Sequence, residues 1–264
     1  MLYFSSLIKT NPKYSLSAEN LFPALSDSGE NFTLFDGAKD IWARDYMPIK
    51  TKSGKHISFR YEPSYLADVP QLRTIFKTDI APHFTLPVKY SNINLDGGNV
   101  VFSPSKVKAV ITDRVFSENP EYDKNTLLLE LENLLEAEII IIPSLISDMT
   151  GHADGVVRFV NENTVIGNAL PYGYEQKVKR ALKKQGISVV DFPYFDSKGI
   201  SAVGSYLNFL ETDNCIFLPI FGSVQDETAV KSAKEIFEKK IVAVNINGIA
   251  KDGGVLNCIS WETD

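Results

Sequence analysis

The feature that most constrains this chain is a motif that comes round five times. Segments led by glycine or by charge recur roughly every fifty residues, at 45–49, 97–102, 151–159, 204–210 and 253–260. Each reads as a short strand, followed by a second strand, a helix and a third strand. Ordinary α/β alternation also looks periodic. Here the unusual part recurs too: a leading strand with a polar residue near its middle. Five such units closing in a ring would set five leading strands around one central pit. The expected class is therefore α/β, a five-bladed pseudo-symmetric propeller. No linker-like stretch divides the units, so residues 1–264 are expected to form one domain.

Between the leading segments the pattern is plain. Leucines at 127, 128, 131, 134 and 135 predict an amphipathic helix over 126–137. Residues 138–142 form a continuous apolar run ended by Pro143, read as a strand buried on both faces. Helices are also predicted at 15–25, 66–78, 175–184 and 226–239. Further strands are predicted at 2–8, 32–35, 56–61, 86–90, 107–112, 164–167, 187–190, 215–219 and 241–244.

The net charge of −6 carries no basic stripe, which argues against a nucleic-acid partner. No apolar run is long enough to span a bilayer. The first residues lack the basic lead of a secretory signal. Two cysteines, Cys215 and Cys258, make no disulfide framework, and a reducing, cytoplasmic setting is expected.

The leading segments hold the chemistry-bearing side chains: Arg44 and Asp45, Asp96, His152 and Asp154, Asn208, and Cys258 beside Asn257. Gathered in one pit they would supply a nucleophile, a general acid/base and anionic acceptors. Each has a plainer use. Cys258 could be an ordinary buried cysteine, as Cys215 is read to be. Asp45 could pair with Arg44 or cap a turn, Asp96 could serve turn chemistry, and Arg158 could be a structural partner for a carboxylate. His152 and Asp154, two apart at the start of a strand, would face the same side. His56 and His83 are read as surface or packing residues. The spacing suits neither a zinc site nor a phosphate loop.

A resemblance is carried by five segments in order. Trp42-Ala43-Arg44-Asp45-Tyr46-Met47-Pro48 resembles the W-x-R-D-x-G-P motif of the agmatine deiminase and Porphyromonas-type peptidylarginine deiminase family. Asp96-Gly97-Gly98-Asn99 resembles its E-G-G-N. Gly151-His152-Ala153-Asp154 with Arg158-Phe159 resembles its G-H-x-D and R-F. Ser205-Tyr206-Leu207-Asn208-Phe209 resembles its S-Y-x-N-F, and Gly253-Gly254 with Cys258 resembles its nucleophile segment. Three positions depart: Asp96 stands for glutamate, Met47 for glycine and Asn257 for histidine.

The resemblance implies the pentein fold of the guanidino-group-modifying enzymes. It also implies deimination of a small cationic guanidino compound, agmatine first, to N-carbamoylputrescine and ammonia, on the way to putrescine. Free arginine, peptidylarginine or another small guanidine, amidino transfer, and non-catalytic guanidine binding stay open. Cys258 would be the nucleophile and His152 the proton shuttle. Asp96 would orient His152, and Asp45 and Asp154 would clamp the guanidinium. Trp42, Arg158 and Asn208 would line the substrate site. No metal or organic cofactor is implied, and a homo-oligomer is left open.

Overall fold

A computed structural model describes residues 1–169, 173–195 and 201–263. The described residues form five three-stranded sheets, and each of the five leading segments heads one of them. Where the pairing is given throughout, the rule is constant. A short leading strand runs antiparallel to the second strand, and the second is parallel to the third. A parallel pair needs a crossover, and this accounts for the helix between second and third strands.

The chain divides into two compact units, Asp45–Val190 and Met1–Arg44 with Asp191–Asp264. In the first unit, strand Lys108–Thr112 pairs with Val101–Phe102 on one side and Glu138–Ile142 on the other. The helix between them spans Lys124–Leu135, and Asp123 caps it by accepting from the N–H groups of Asn125 and Thr126 at 3.0 and 3.1 Å. Leu127, Leu131, Leu134 and Leu135 are buried, as the leucine spacing predicts. Each full burial contributes about 1.5–3 kcal/mol. Strand Glu138–Ile142 divides its isoleucines between two cores. Ile140 and Ile142 are buried with Val157, Val165 and Leu182. Ile139 and Ile141 pack half-buried against the leucine helix.

The predicted helix over 66–78 is absent. Short turns at Ser64–Leu66, Pro70–Leu72 and Phe76–Ile80 replace it. Pro70 pushes Val69 to an extended φ of −134°, which a helix does not allow.

In the second unit, Leu2–Ser5 lies between Phe32–Phe35 and the C-terminal strand Ser260–Glu262. Helix Ser15–Asp27 covers this region with Ala18, Leu21, Phe22 and Leu25 buried. Strand Cys215–Ile220 runs parallel to Lys240–Asn245, with helix Asp226–Ile236 between them in sequence.

The leading segments are less regular than their sequences suggest. His152 and Asp154 were expected on a strand; the strand begins only at Val157, and Ala153–Gly155 is a 3-10 turn. The same holds for Gly97–Asn99 ahead of Val101–Phe102, and for Ala43–Tyr46 ahead of Ile49–Lys50. Asn208 and Cys258 also lie in turns, ahead of Leu210–Glu211 and Ser260–Glu262. Gly151, Gly204 and Gly253, at matching points of three repeats, have φ of +62°, +98° and +103°. That is left-handed backbone, which disfavours any residue with a Cβ. The polar residues thus sit on the turns that feed the strands.

Candidate functional site

In the Asp45–Val190 unit, three such turns converge on one imidazole. His152 Nε2 lies 2.8 Å from Asp96 Oδ2, and His152 Nδ1 lies 3.7 Å from Asp45 Oδ1. The Gly98 N–H donates to the same Asp45 oxygen at 3.1 Å. A Cβ at Gly98 would stand 2.6 Å from both Asp45 Oδ1 and His152 Nδ1. Glycine is therefore what lets these two groups approach over the turn. Thr112 ties two of the turns together: its N–H donates to Asn99 Oδ1 at 3.0 Å and its hydroxyl to the Gly151 carbonyl at 2.7 Å.

Asp45, Asp96, His152 and Asp154 are all buried. Burial alone favours neutral imidazole and is the largest single influence on His152. The negative field of Asp45, then the hydrogen bond and charge of Asp96, then the charge of Asp154, together outweigh it and raise the His152 pKa to about 10. The imidazole is thus held as a cation. Asp96, one methylene shorter than the glutamate of the resembled motif, still reaches it. Asp96 Oδ2 also accepts from the Tyr65 hydroxyl at 3.0 Å, and the Tyr65 ring stands edge-on to His152 with centroids 6.4 Å apart.

In the other unit, Cys258 is half-exposed while Cys215 is buried at the head of its strand. Asn208 Oδ1 accepts from both the Cys258 backbone N–H and its Sγ, each at 3.2 Å. The Asn257 N–H donates to the Asn208 carbonyl at 3.1 Å. Arg44 braces the same segment. Its N–H donates to the Cys258 carbonyl at 3.0 Å and its Nε to the Asn257 carbonyl at 3.3 Å. Its two terminal nitrogens reach the Glu262 carboxylate at 3.1 and 2.6 Å, a bidentate geometry that fixes the guanidinium plane. A Cβ at Gly254 would lie 2.5 Å from Trp42 Cζ3 and 3.0 Å from Cys258 Cβ, so indole and cysteine meet there. The Trp42 N–H donates to Asp40 Oδ1 at 2.9 Å. Burial raises the Asp40 carboxyl to about 7, against the pull of that bond.

The structure therefore brings together Asp45, Asp96, His152 and Asp154 in one unit, and Trp42, Asn208 and Cys258 in the other. Arg158 lies half-buried on strand Val157–Asn161, opposite Ile166. Sequence reasoning did not single out Gly98, Thr112 or Tyr65. Gly98 was inside a recognised motif; Tyr65 had no local signal. Among the described residues no group of three or more His, Cys, Asp or Glu is arranged to hold a metal ion. No described helix is long and apolar enough to cross a membrane.

The model of the Porphyromonas-type peptidyl-arginine deiminase family matches residues 18–263. The chain belongs to this family. A Streptococcus mutans protein provisionally named agmatine deiminase is 39% identical over 66 residues, 25% of this chain and 18% of that protein. The aligned stretch thus spans less than a fifth of that relative. The solved agmatine deiminase of C. jejuni is similar over 98% of this chain and 92% of its own, with TM-score 0.76 and 19% identity. A cysteine-to-serine variant of it has been solved with substrate bound, at TM-score 0.71 and 18% identity over the same shares of the two chains. DDAH from Pseudomonas aeruginosa, a cysteine-to-serine variant complexed with citrulline, covers 98% of this chain and 97% of its own at TM-score 0.62 and 10% identity. At such identities the likeness speaks for the fold. It is the α/β pentein fold, and the five small sheets agree with five-fold pseudo-symmetry.

Proposed function

We propose that this family member is a C–N hydrolase that deiminates a small guanidino cation, with agmatine the first candidate and N-carbamoylputrescine and ammonia the products. The observation that carries the reading is the buried His152 imidazole with Asp96 Oδ2 at 2.8 Å and Asp45 Oδ1 at 3.7 Å, on which the charge of Asp154 also bears. Three carboxylates around one cation leave the cluster net negative, which suits a second planar cation with several N–H donors.

Asp45 and Asp154 take the guanidinium. As the cation binds, the Cys258 thiol gives its proton to solvent; the thiolate then attacks the central carbon of the guanidinium and a tetrahedral adduct forms. His152 gives a proton to one amino group, the C–N bond breaks, and ammonia leaves. This yields an S-alkylthiouronium on Cys258. His152 then accepts a proton from water as the water oxygen bonds to that carbon. Collapse breaks the C–S bond, the adduct hydroxyl gives its proton to solvent, and the ureido product leaves with Cys258 restored as the thiolate. Nε2 of His152 is engaged by Asp96, so Nδ1 is the nitrogen that works. A bound guanidinium would share the fields of Asp45 and Asp154 with the imidazolium and loosen its hold on the proton. Between turnovers Asn208 Oδ1, an acceptor, suits the thiol form of Cys258.

The reading takes residues 1–264 as one catalytic domain working in the cytoplasm. Trp42 and Arg158 stay within it as substrate-lining residues. Ammonia and ureido release measured across agmatine, arginine, an arginyl peptide and small guanidines tests it. Turnover of agmatine above the rest supports the specific form. Preference for another guanidine moves the substrate within the same chemistry, and release from none of them defeats it.

A further inference from the structure

Asp96 Oδ2 carries two donors at once, His152 Nε2 at 2.8 Å and the Tyr65 hydroxyl at 3.0 Å. A carboxylate oxygen has room for both, but they compete for its charge. Tyr65 is not a passing surface group. Its turn, Ser64–Leu66, is fastened from behind by the Glu118 carboxylate. That group accepts from the Ser64 N–H at 3.0 Å and from the Ser64 hydroxyl at 2.6 Å. Arg114 closes the clamp, donating from Nε to Glu118 Oε1 at 3.1 Å and from Nη2 to Ser64 Oγ at 3.0 Å. The same Arg114 side chain packs against Gly151, where an added Cβ would lie 3.1 Å from its Cδ. One arginine thus supports both the turn that bears Tyr65 and the residue before His152.

We propose that Tyr65 is a positioning residue for the proton shuttle, holding the Asp96 carboxylate toward His152 and drawing off part of its charge so that the imidazolium can release its proton. The inference rests on the deiminase reading above for its consequence in catalysis, but its physical core does not. Asp96 is a short carboxylate whose plane can turn about one bond. The tyrosine hydroxyl holds the same oxygen that faces His152. Without it, Asp96 keeps its full charge for His152, and the imidazolium is pinned.

The charged and titratable groups bearing on His152 are Asp45, Asp96 and Asp154, with the Tyr65 ring edge beside it. Those bearing on Tyr65 are Asp96, Tyr61 and Asp45. Removing the hydroxyl alone leaves every carboxylate in place. The hydroxyl also hydrogen-bonds Tyr61, a neutral group that is not among those bearing on His152, so a shift in the His152 titration reports the shared Asp96 oxygen.

The test is Tyr65→Phe, which keeps the ring. With only three histidines in the chain, His152 can be followed by NMR of histidine-labelled protein. We expect its titration to move up by about half to one pH unit, the size of a modest change in a charge-assisted hydrogen bond. We expect kcat to fall roughly three- to tenfold with KM within about twofold, as general-acid catalysis weakens. Ser64→Ala, which loosens the turn and spares the hydroxyl, should move both in the same direction by less. An unmoved or lowered titration in Tyr65→Phe overturns the proposal, including the case where kcat falls through lost packing alone. The titration needs no substrate. If the wild-type protein deiminates nothing, the function fails while Tyr65 is still judged; if it is active and Tyr65→Phe is unchanged, the reverse holds.

Discussion

Replacing Gly98 by alanine tests whether the imidazole cluster is built to a tolerance. The added Cβ would lie 2.6 Å from Asp45 Oδ1 and 2.6 Å from His152 Nδ1. Ordinary contact begins near 3.4 Å, so one or both groups must retreat by about 0.8 Å, the difference of these distances. His152 has little room to retreat, because Nε2 is held by Asp96 at 2.8 Å. Asp45 would move, and with it the bond from the Gly98 N–H. Misplacement of a reacting group by about 1 Å costs on the order of 10²-fold in rate. Gly98→Ala should therefore lower kcat/KM for agmatine by about two orders of magnitude. The fold should survive, because Gly98 is not among the glycines at positive φ. The comparison is Gly155→Ala, whose Cβ meets nothing within 4 Å. The assay is ammonia release alongside far-UV circular dichroism. A folded Gly98→Ala protein with wild-type kcat/KM would refute the claim that Asp45 and His152 must stand where they do.

Three further outcomes follow from the charges. Asp45→Asn removes the first of the influences that raise His152; its titration should fall toward the ordinary range. Asp45→Asn and Asp154→Asn should each cost about 10²-fold or more in kcat/KM; an undiminished rate in either would remove the carboxylate clamp. Because the folded-state pKa of His152 is raised to about 10, above the unfolded value of about 6.5, the stability it contributes is complete below about pH 6.5 and is lost as pH rises through about 10. Between these limits the folded state binds more protons than the unfolded one, so stability should fall with rising pH more steeply than in His152→Gln. Urea denaturation at pH 7, 8 and 9 measures the difference, and parallel slopes for the two proteins would contradict it.

Much of the architecture is legible in the sequence because its determinants are local. The leucine spacing marks helix Lys124–Leu135, and the recurring glycines mark four of the five strand entrances. What was misread lies at those entrances. Val156-Val157-Arg158-Phe159 looks like one strand with His152 and Asp154 at its head, yet the polar pair sits in a turn governed by Gly151 at φ +62°. The helix expected over 66–78 failed for a local reason, Pro70. The pairing of Asp96 with His152 was readable only through the family motif, and the shortened side chain left its reach open until distances were known. Tyr65 was invisible because its partner is 31 residues away in sequence and its own segment has no periodicity.

The central claim is that Cys258 attacks a guanidinium carbon, and trapping the covalent intermediate tests it most directly. Wild-type protein mixed with agmatine, quenched in acid during turnover and digested should carry an adduct of the substrate mass less ammonia on the peptide holding Cys258. The Cys215 peptide should be unmodified, and Cys258→Ala should be folded and inactive. Retained turnover in Cys258→Ala, or an adduct on Cys215 instead, would contradict the account.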